Sequence, residues 1–334
     1  MRVVPVAPVR RKSYHAAFAR RILLLGVLAL TACSDQPWNR PYPQADASRN
    51  ILYSSFQERP KHLDPAQSYS SNEVTFTGQI YEPPLQYHYL KRPYQLIPLT
   101  ATELPVAHYL DAEGRPLPDD APAGEIAYSY YDVNIQPGIR YQPHPAFAQD
   151  EGGELRYHAL TADDLENIYS LGDFAETGTR ELTAADYVYQ IKRLAHPGLH
   201  SPILGLMSDY IVGLGEYAKT LDRAWKEAGG HEAAPYLDLH AYPLDGARVI
   251  DRYTYRITLH GKYPQLLYWL AMPFFGPVPA EADAFYSQPG MKERNITLDW
   301  YPVGTGPYML TINNPNRQMV LERNPNFHGE TYPT

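Results

Sequence analysis

The clearest periodic pattern of apolar residues in this chain lies between residues 183 and 198. Apolar side chains recur there at i, i+1, i+4 and i+7, as Tyr187, Val188, Ile191 and Leu194. This spacing places them on one face of a helix. Thr183 is a suitable N-cap, and Pro197-Gly198 would end the helix.

Other segments alternate between apolar and polar residues, which is typical of half-buried strands. The run from Tyr253 to His260 does so, and the run from Ile126 to Ile135 is dense in Tyr, Val and Ile. Shorter strands are expected at Ile51–Tyr53, after the glycine turn 303–308, and at Met319–Glu322. These patterns are mixed with the helical ones and form no regular βαβ units, so the expected fold class is α/β in the mixed α+β sense.

A capping box opens a further predicted helix. Ser70 is its N-cap and Glu73 lies three residues later, where its carboxylate can reach back to the N-cap backbone. Apolar residues follow on one helical face, and Pro83-Pro84 stops the helix.

The N-terminal segment has the order of an export signal. Arg20-Arg21 precede nine apolar residues, 22–30, and the small pair Thr31-Ala32 leads to Cys33, the only cysteine. Nine residues of helix span about 13 Å, less than half of a bilayer's hydrocarbon core. The segment resembles the lipobox of a bacterial lipoprotein, which implies a signal peptide over 1–32, lipid attachment at Cys33 and a polar tether over 33–49.

The charge of the chain narrows the possible partners. The formal net charge is −8, and loss of the six basic residues within 1–32 would make it −14. Nucleic-acid binding needs a basic surface, so it is not expected. The acidic balance also argues against adhesion to anionic lipid by charge alone.

Catalytic and metal-binding patterns are weak. His196 and His200 are four residues apart, but Pro197-Gly198 between them would break a helix. The pairs Asp119-Asp120 and Asp163-Asp164 lie in polar stretches and are expected to be solvated, whereas active-site carboxylates need burial or a like-charge neighbour. With Cys33 lipidated, no thiol remains for catalysis. We therefore expect no catalytic residues, no metal site and no cofactor.

Six segments in order over residues 50–330 resemble motifs of the peptide-type solute-binding proteins of ABC importers, extracellular solute-binding family 5. They are LDP at 63–65 with IYEPPL at 80–85, PLTA at 98–101, LTAADYV at 182–188, DRYTYRITL at 251–259, VGTGPY at 303–308 and LERNPNF at 321–327.

The resemblance implies a periplasmic-binding-protein-like clamp of two lobes around a solute. Lobe I would comprise 50–83 and 181–310, with a smaller inserted domain at 84–180. Residues 311–334 would begin lobe II, truncated at Thr334, so the expected chain holds mainly the first lobe and its insertion and alone binds solute poorly.

In the family, the loop after LDP and the following helix start face the cleft. The resemblance therefore implies solute contacts at Tyr69, Ser70, Ser71, Asn72 and Glu73, although helix capping is an equally good role for Ser70 and Glu73. The implied protein is a monomeric, lipid-anchored receptor in the periplasm or cell envelope. Its implied partners are a peptide or peptide-like solute, an inner-membrane ABC permease and the membrane that holds the anchor.

Two functions from other classes remain open at this point. An envelope lipoprotein could keep the same fold as a scaffold or partner-binding module. An exported hydrolase would require a catalytic constellation, and the sequence shows none above background. Nickel chelates and sugars are further solutes that the family resemblance allows.

Overall fold

The computed structural model describes residues 42–161, 163–233 and 235–330. The chain divides into two compact units, Met1–Ser55 and Phe56–Thr334. The lipobox and Cys33 lie outside the described residues, so the expected signal peptide and lipid attachment stay predictions.

The described part of the first unit contains the 3₁₀ turn Gln44–Ser48. The Tyr42 ring stacks on that of Tyr53 with centroids 3.5 Å apart, and the Tyr53 hydroxyl donates to Asp46 Oδ2 at 3.0 Å. Residues 51–53 form no strand, contrary to expectation. Leu52 is 93% exposed, so this short apolar run buries too little surface to be held as a strand.

The described part of the second unit contains α-helices and antiparallel strands. The helices are α1 (Ser71–Ile80), α2 (Ala184–Arg193), α3 (Leu204–Tyr210), α4 (Leu214–Glu227), α5 (Gly230–Ala233), α6 (Leu266–Trp269) and α7 (Ala280–Tyr286). The strands are β1 (Leu85–Tyr87), β2 (Leu96–Pro98), β3 (Ala107–Leu110), β4 (Pro116–Leu117), β5 (Tyr128–Asn134), β6 (Ala247–Val249), β7 (Thr254–His260), β8 (Tyr308–Asn314) and β9 (Gln318–Arg323). The mixed α/β class expected from the sequence is confirmed.

A five-stranded antiparallel sheet of order β4-β3-β5-β7-β6 is the centre of this unit. Alternate residues of β5 and β7 are buried on one face, as the alternation at 253–260 predicted for β7. The register sets Val133 opposite Tyr255 and Tyr131 opposite Ile257. Such cross-strand pairs of large side chains stabilise one register over its neighbours.

Helix α2 packs on this sheet through the predicted apolar face. The Tyr187 ring stacks on that of Tyr255, with centroids 5.2 Å apart and planes 9° apart. The Tyr187 hydroxyl also donates to the carbonyl oxygen of Glu82 at 3.1 Å. The helix therefore joins the sheet to the segment that follows α1.

The sheet combines strands from both sides of residue 180. Strands β3, β4 and β5 come from residues 84–180, and β6 and β7 come from 181–310. Two separate hairpins, β1–β2 and β8–β9, complete the strands described. A smaller inserted domain at 84–180 stays a prediction, and its strands share a sheet with those of the expected lobe I.

Candidate functional site

The residues expected to face a solute lie where residues 61–70, here called the rim loop, meet the first turn of α1. Glu73 is 3% exposed. Its Oε1 accepts the backbone N–H groups of Lys61 and His62 at 3.1 and 3.0 Å. Its Oε2 accepts those of Tyr69 and Ser70 at 2.9 and 3.0 Å. One carboxylate therefore fastens both ends of the rim loop to the helix.

These contacts determine the charge state of Glu73. Burial disfavours its ionised form, but the backbone N–H groups of Ser70 and Tyr69 outweigh burial and lower the pKa of Glu73 to about 2. The predicted capping box is confirmed. Because both oxygens already accept backbone donors, Glu73 shapes the rim loop and presents no free charge to a solute.

A second carboxylate holds the start of the rim loop. Asp299 Oδ1 accepts the backbone N–H groups of Leu63 and Asp64 at 2.6 and 3.0 Å. Its Oδ2 lies 2.9 Å from His62 Nδ1. Sequence reasoning missed Asp299 because it lies 235 residues beyond Asp64, in a stretch with no motif. Its contact with the rim loop exists only in the folded chain.

The far end of the rim loop is exposed. Tyr69 is 66% exposed, and its ring lies 6.4 Å from that of Phe274 with planes 19° apart. Ser70 and Ser71 are exposed beside it. The first N–H groups of a helix have no intrahelical partner, so this edge combines an aromatic surface with backbone donors.

Asn72 has a different role from its neighbours. It is half-buried, and its Nδ2 donates to the carbonyl oxygens of Glu58 and Arg59 at 3.4 and 3.2 Å. Arg59 Nη1 in turn donates to Asn316 Oδ1 at 2.8 Å. The Asn72 side chain thus connects α1 to the preceding segment, and the Arg59 side chain connects that segment to the β8–β9 turn.

The VGTGPY segment at 303–308 packs against the C-terminal end of α1. A Cβ on Gly304 would lie 1.8 Å from the Ile80 carbonyl oxygen, and one on Gly306 would lie 2.6 Å from that of Gln79. The Gly306 N–H donates to the same Ile80 oxygen at 2.9 Å. Only glycine allows this backbone-to-backbone contact.

The RNP segment at 323–325 packs against the same place. Asn324 Nδ2 donates to the Gly306 carbonyl oxygen at 2.9 Å. The Asn324 backbone N–H donates to the Pro307 carbonyl oxygen, also at 2.9 Å. Further along, His328 Nε2 lies 2.9 Å from Glu82 Oε1, and this hydrogen bond raises the pKa of His328. The VGTGPY and RNP motifs, which belong to one hairpin, therefore meet near the end of α1.

Two arginines connect α2 to the rest of the site. Arg193 is 1% exposed and bonds both oxygens of Asp64, at 2.9 and 2.7 Å. Burial would raise the pKa of Asp64, but the Arg193 guanidinium outweighs burial and lowers it. Arg180 bonds both oxygens of Asp186 and of Glu281 over 2.6–2.9 Å. These pairs fix the rim loop, α2 and α7 to one another.

Two shallow depressions of about 320 and 300 Å³ flank the turn Pro243–Asp245, and neither is lined by residues 69–73. Lys192 lines the larger one and is 9% exposed. Its Nζ donates to the carbonyl oxygens of Leu239 and Tyr242 at 3.0 and 2.7 Å. The Lys192 ammonium group thus bonds the carbonyl oxygens around the 3₁₀ turn Leu239–Ala241 and stabilises that turn.

Within residues 42–161, 163–233 and 235–330, no cluster of three or more histidine, cysteine or acidic side chains could hold a metal ion. The same residues include no helix with the length and apolar character that crossing a bilayer requires. His196 and His200 occupy a turn, where the His196 ring caps the Gly198 N–H at 3.1 Å.

Comparison with known proteins identifies the region that carries most of the motifs. Residues 176–333 match the family model described as bacterial extracellular solute-binding proteins, family 5, middle. The matched region contains α2, the DRYTYRITL strand, VGTGPY and RNP. The family is defined by solute binding and is not one of enzymes.

A curated relative is the periplasmic oligopeptide-binding protein OppA of Salmonella typhimurium. It is 29% identical over 147 residues, which cover 44% of this chain and 23% of that protein. The chain therefore spans less than a quarter of the length of this relative.

Among solved structures, the Escherichia coli murein tripeptide binding protein MppA matches with a TM-score of 0.49 and 15% identity, over 81% of this chain and 38% of MppA. Peptide-bound OppA of Listeria monocytogenes matches with a TM-score of 0.47 and 14% identity, over 80% of this chain and 37% of that chain. The sequence-based recognition is confirmed for this region: residues 176–333 of this chain match the model of the bacterial extracellular solute-binding proteins of family 5.

Proposed function

We propose that this protein is a lipid-anchored, extracytoplasmic receptor that binds peptides or peptide-like solutes and delivers them to an ABC import permease. It captures the solute noncovalently and catalyses no reaction. The observation that carries the proposal is the family match over residues 176–333. The oligopeptide-binding relative favours a peptide as the solute.

The rim loop and the first turn of α1 are the proposed solute contact. Tyr69 supplies an exposed aromatic face, and Ser70 and Ser71 are exposed beside it and supply hydroxyl groups at the start of the helix. A peptide offers carbonyl and carboxylate oxygens to those donors and side chains to the ring. Glu73 and Asn72 contribute by holding this surface in shape, which lowers the ordering cost of binding.

Attachment to a membrane through Cys33 is part of the proposal and is supported by the lipobox at 30–33. The proposed location is the periplasmic side of the cell envelope, in keeping with the periplasmic relative. We also propose a monomer with lobe I at 50–83 and 181–310 and an inserted region at 84–180. Residues 311–334 would begin the second lobe of a clamp.

Thermal unfolding of the complete gene product in the presence of peptide pools tests this function. A ligand that binds only the folded state at 100 times its Kd stabilises that state by about 2.7 kcal/mol. We expect a rise in Tm with di- to pentapeptide pools and none with free amino acids at the same concentration. A rise with sugars or metal chelates alone would contradict the peptide assignment, and no rise with any solute would favour a scaffold.

A further inference from the structure

The β1–β2 hairpin ends in a tip, residues 88–94, that combines exposed apolar side chains with two cations. Tyr89, Leu90 and Tyr94 are 68%, 48% and 66% exposed. Lys91 and Arg92 lie between them, and the tip contains no acidic residue. Across the described ranges, neither cation forms an ion pair with a carboxylate. The tip is therefore locally basic in a chain whose formal net charge is −8.

The tip is held in one conformation by its own contacts. His88 Nδ1 accepts the backbone N–H groups of Leu90 and Lys91 at 3.2 and 3.3 Å. The Arg92 guanidinium lies 4.3 Å from the centroid of the Tyr94 ring. Binding through this surface would need little further ordering of the chain.

Aromatic contacts connect the tip to helix α6. The Tyr87 ring lies 5.9 Å from that of Tyr94, edge to face, and 6.4 Å from that of Tyr268, with planes 20° apart. Tyr268 belongs to α6 and is 49% exposed. The tyrosines thus form a continuous surface that runs from the hairpin onto the helix.

We propose that the hairpin tip contacts the headgroup region of an anionic lipid bilayer. Tyrosine favours that region because its ring is apolar and its hydroxyl is polar, and leucine enters the adjoining acyl boundary. Lys91 and Arg92 attract anionic headgroups. Salt screens charges beyond about 8 Å at physiological ionic strength, so the acidic residues farther than that from the tip oppose the contact little. The contact is distinct from solute capture and does not require a lipid at Cys33.

Tryptophan placed in the tip tests the proposal in the full chain. Leu90→Trp puts an indole at the tip, and Leu206→Trp is the matched control because Leu206 in α3 is 49% exposed. Both variants are mixed with vesicles of phosphatidylcholine and phosphatidylglycerol that carry brominated acyl chains. After subtraction of the parent emission, we expect quenching of the indole at position 90 and none at position 206. Any attachment through residues 1–33 is common to both variants.

Removal of the Lys91 charge tests whether attraction to anionic headgroups, and not mere exposure of the indole, causes the quenching. The Lys91 contacts in the tip are made by its backbone, and its side chain forms no hydrogen bond or ion pair among the described residues, so Lys91→Gln should leave the hairpin intact. In the Leu90→Trp background it should weaken quenching about fivefold at phosphatidylglycerol-containing vesicles. Equal quenching at positions 90 and 206, or equal quenching with phosphatidylcholine alone, would overturn the proposal. Shielding of the indole in native envelopes but not on protein-free vesicles would assign the tip to a protein partner and would also overturn it.

Discussion

At the scale of single residues, the candidate site depends on side chains that hold backbone in place. Glu73 is the clearest case, since one carboxylate accepts four backbone N–H groups of the rim loop. Its capping contacts could be predicted because Tyr69 and Ser70 lie within four residues of it in the sequence. Asp299 performs a similar task from 235 residues away, and no local pattern reveals such a pairing.

Replacement of Glu73 tests this fastening role and its dependence on pH. Glu73→Gln should lower the free energy of unfolding by at least about 2 kcal/mol at neutral pH, because an amide nitrogen would face buried N–H donors. Folding lowers the pKa from 4.5 to about 2, so the carboxylate stabilises the fold fully above pH 4.5 and this contribution is lost as the pH falls toward 2.

The difference between parent and variant should therefore shrink across that pH window in urea unfolding. Glu151→Gln is the control, because Glu151 is exposed in a turn and its loss should change stability by less than about 0.5 kcal/mol. A difference that stays constant from pH 5 down to about 2 would contradict the assigned charge state.

Gly304 is a second residue whose role follows from geometry. Gly304→Ala would place a Cβ 1.8 Å from the Ile80 carbonyl oxygen, so the 303–308 turn must separate from α1. We expect a loss of at least about 2 kcal/mol in unfolding free energy.

The matched control is Gly205→Ala within α3, where a Cβ meets nothing within 4 Å. Alanine should stabilise that helix by up to about 1 kcal/mol. Equal effects of the two substitutions in thermal unfolding would refute the packing explanation for the VGTGPY motif.

At the scale of elements, the strongest sequence patterns located helices and strands well. The apolar face after Thr183 became α2, and the alternation at 253–260 became β7, because each pattern has one buried face that only its own period satisfies. The run at 51–53 forms no strand, because three residues bury little apolar surface. Pairing of β5 with β7 across more than a hundred residues was likewise not readable from local pattern.

The ion pair between α2 and the rim loop can be tested as a unit. Arg193→Met leaves the buried Asp64 carboxylate, 2% exposed, without its partner, and should cost about 3–5 kcal/mol of unfolding free energy. The double variant Arg193→Met with Asp64→Asn should lose less, because the fully buried Asp64 charge is gone and only the partly exposed Asp283 carboxylate, 3.3 Å from Arg193 Nε, loses its partner.

Arg252→Met supplies the comparison, since Arg252 pairs with Glu181 and its side chain is 60% exposed. That loss should be much smaller, because an exposed ion pair contributes little to stability. A double variant less stable than Arg193→Met alone would show that burial of the charge is not the dominant cost.

At the scale of the whole molecule, the family resemblance rests on six ordered motifs, and the structure brings two of them together. VGTGPY and RNP meet at the end of α1, and the start of the same helix carries the rim loop. The two ends of one ten-residue helix thus connect the motif cluster to the proposed solute contact. The five-stranded sheet joins residues on both sides of position 180, so no single sequence motif predicts it.

Calorimetric titration of the complete gene product with its most stabilising peptide tests the central claim most directly, that the rim loop receives a peptide. Tyr69→Ala removes the exposed ring, and Tyr169→Ala removes a tyrosine that is 74% exposed outside the rim loop. The account predicts a Kd about tenfold weaker for Tyr69→Ala, as for loss of one aromatic contact, and an unchanged Kd for Tyr169→Ala. An unchanged Kd for Tyr69→Ala, or equal losses for both variants, would contradict it.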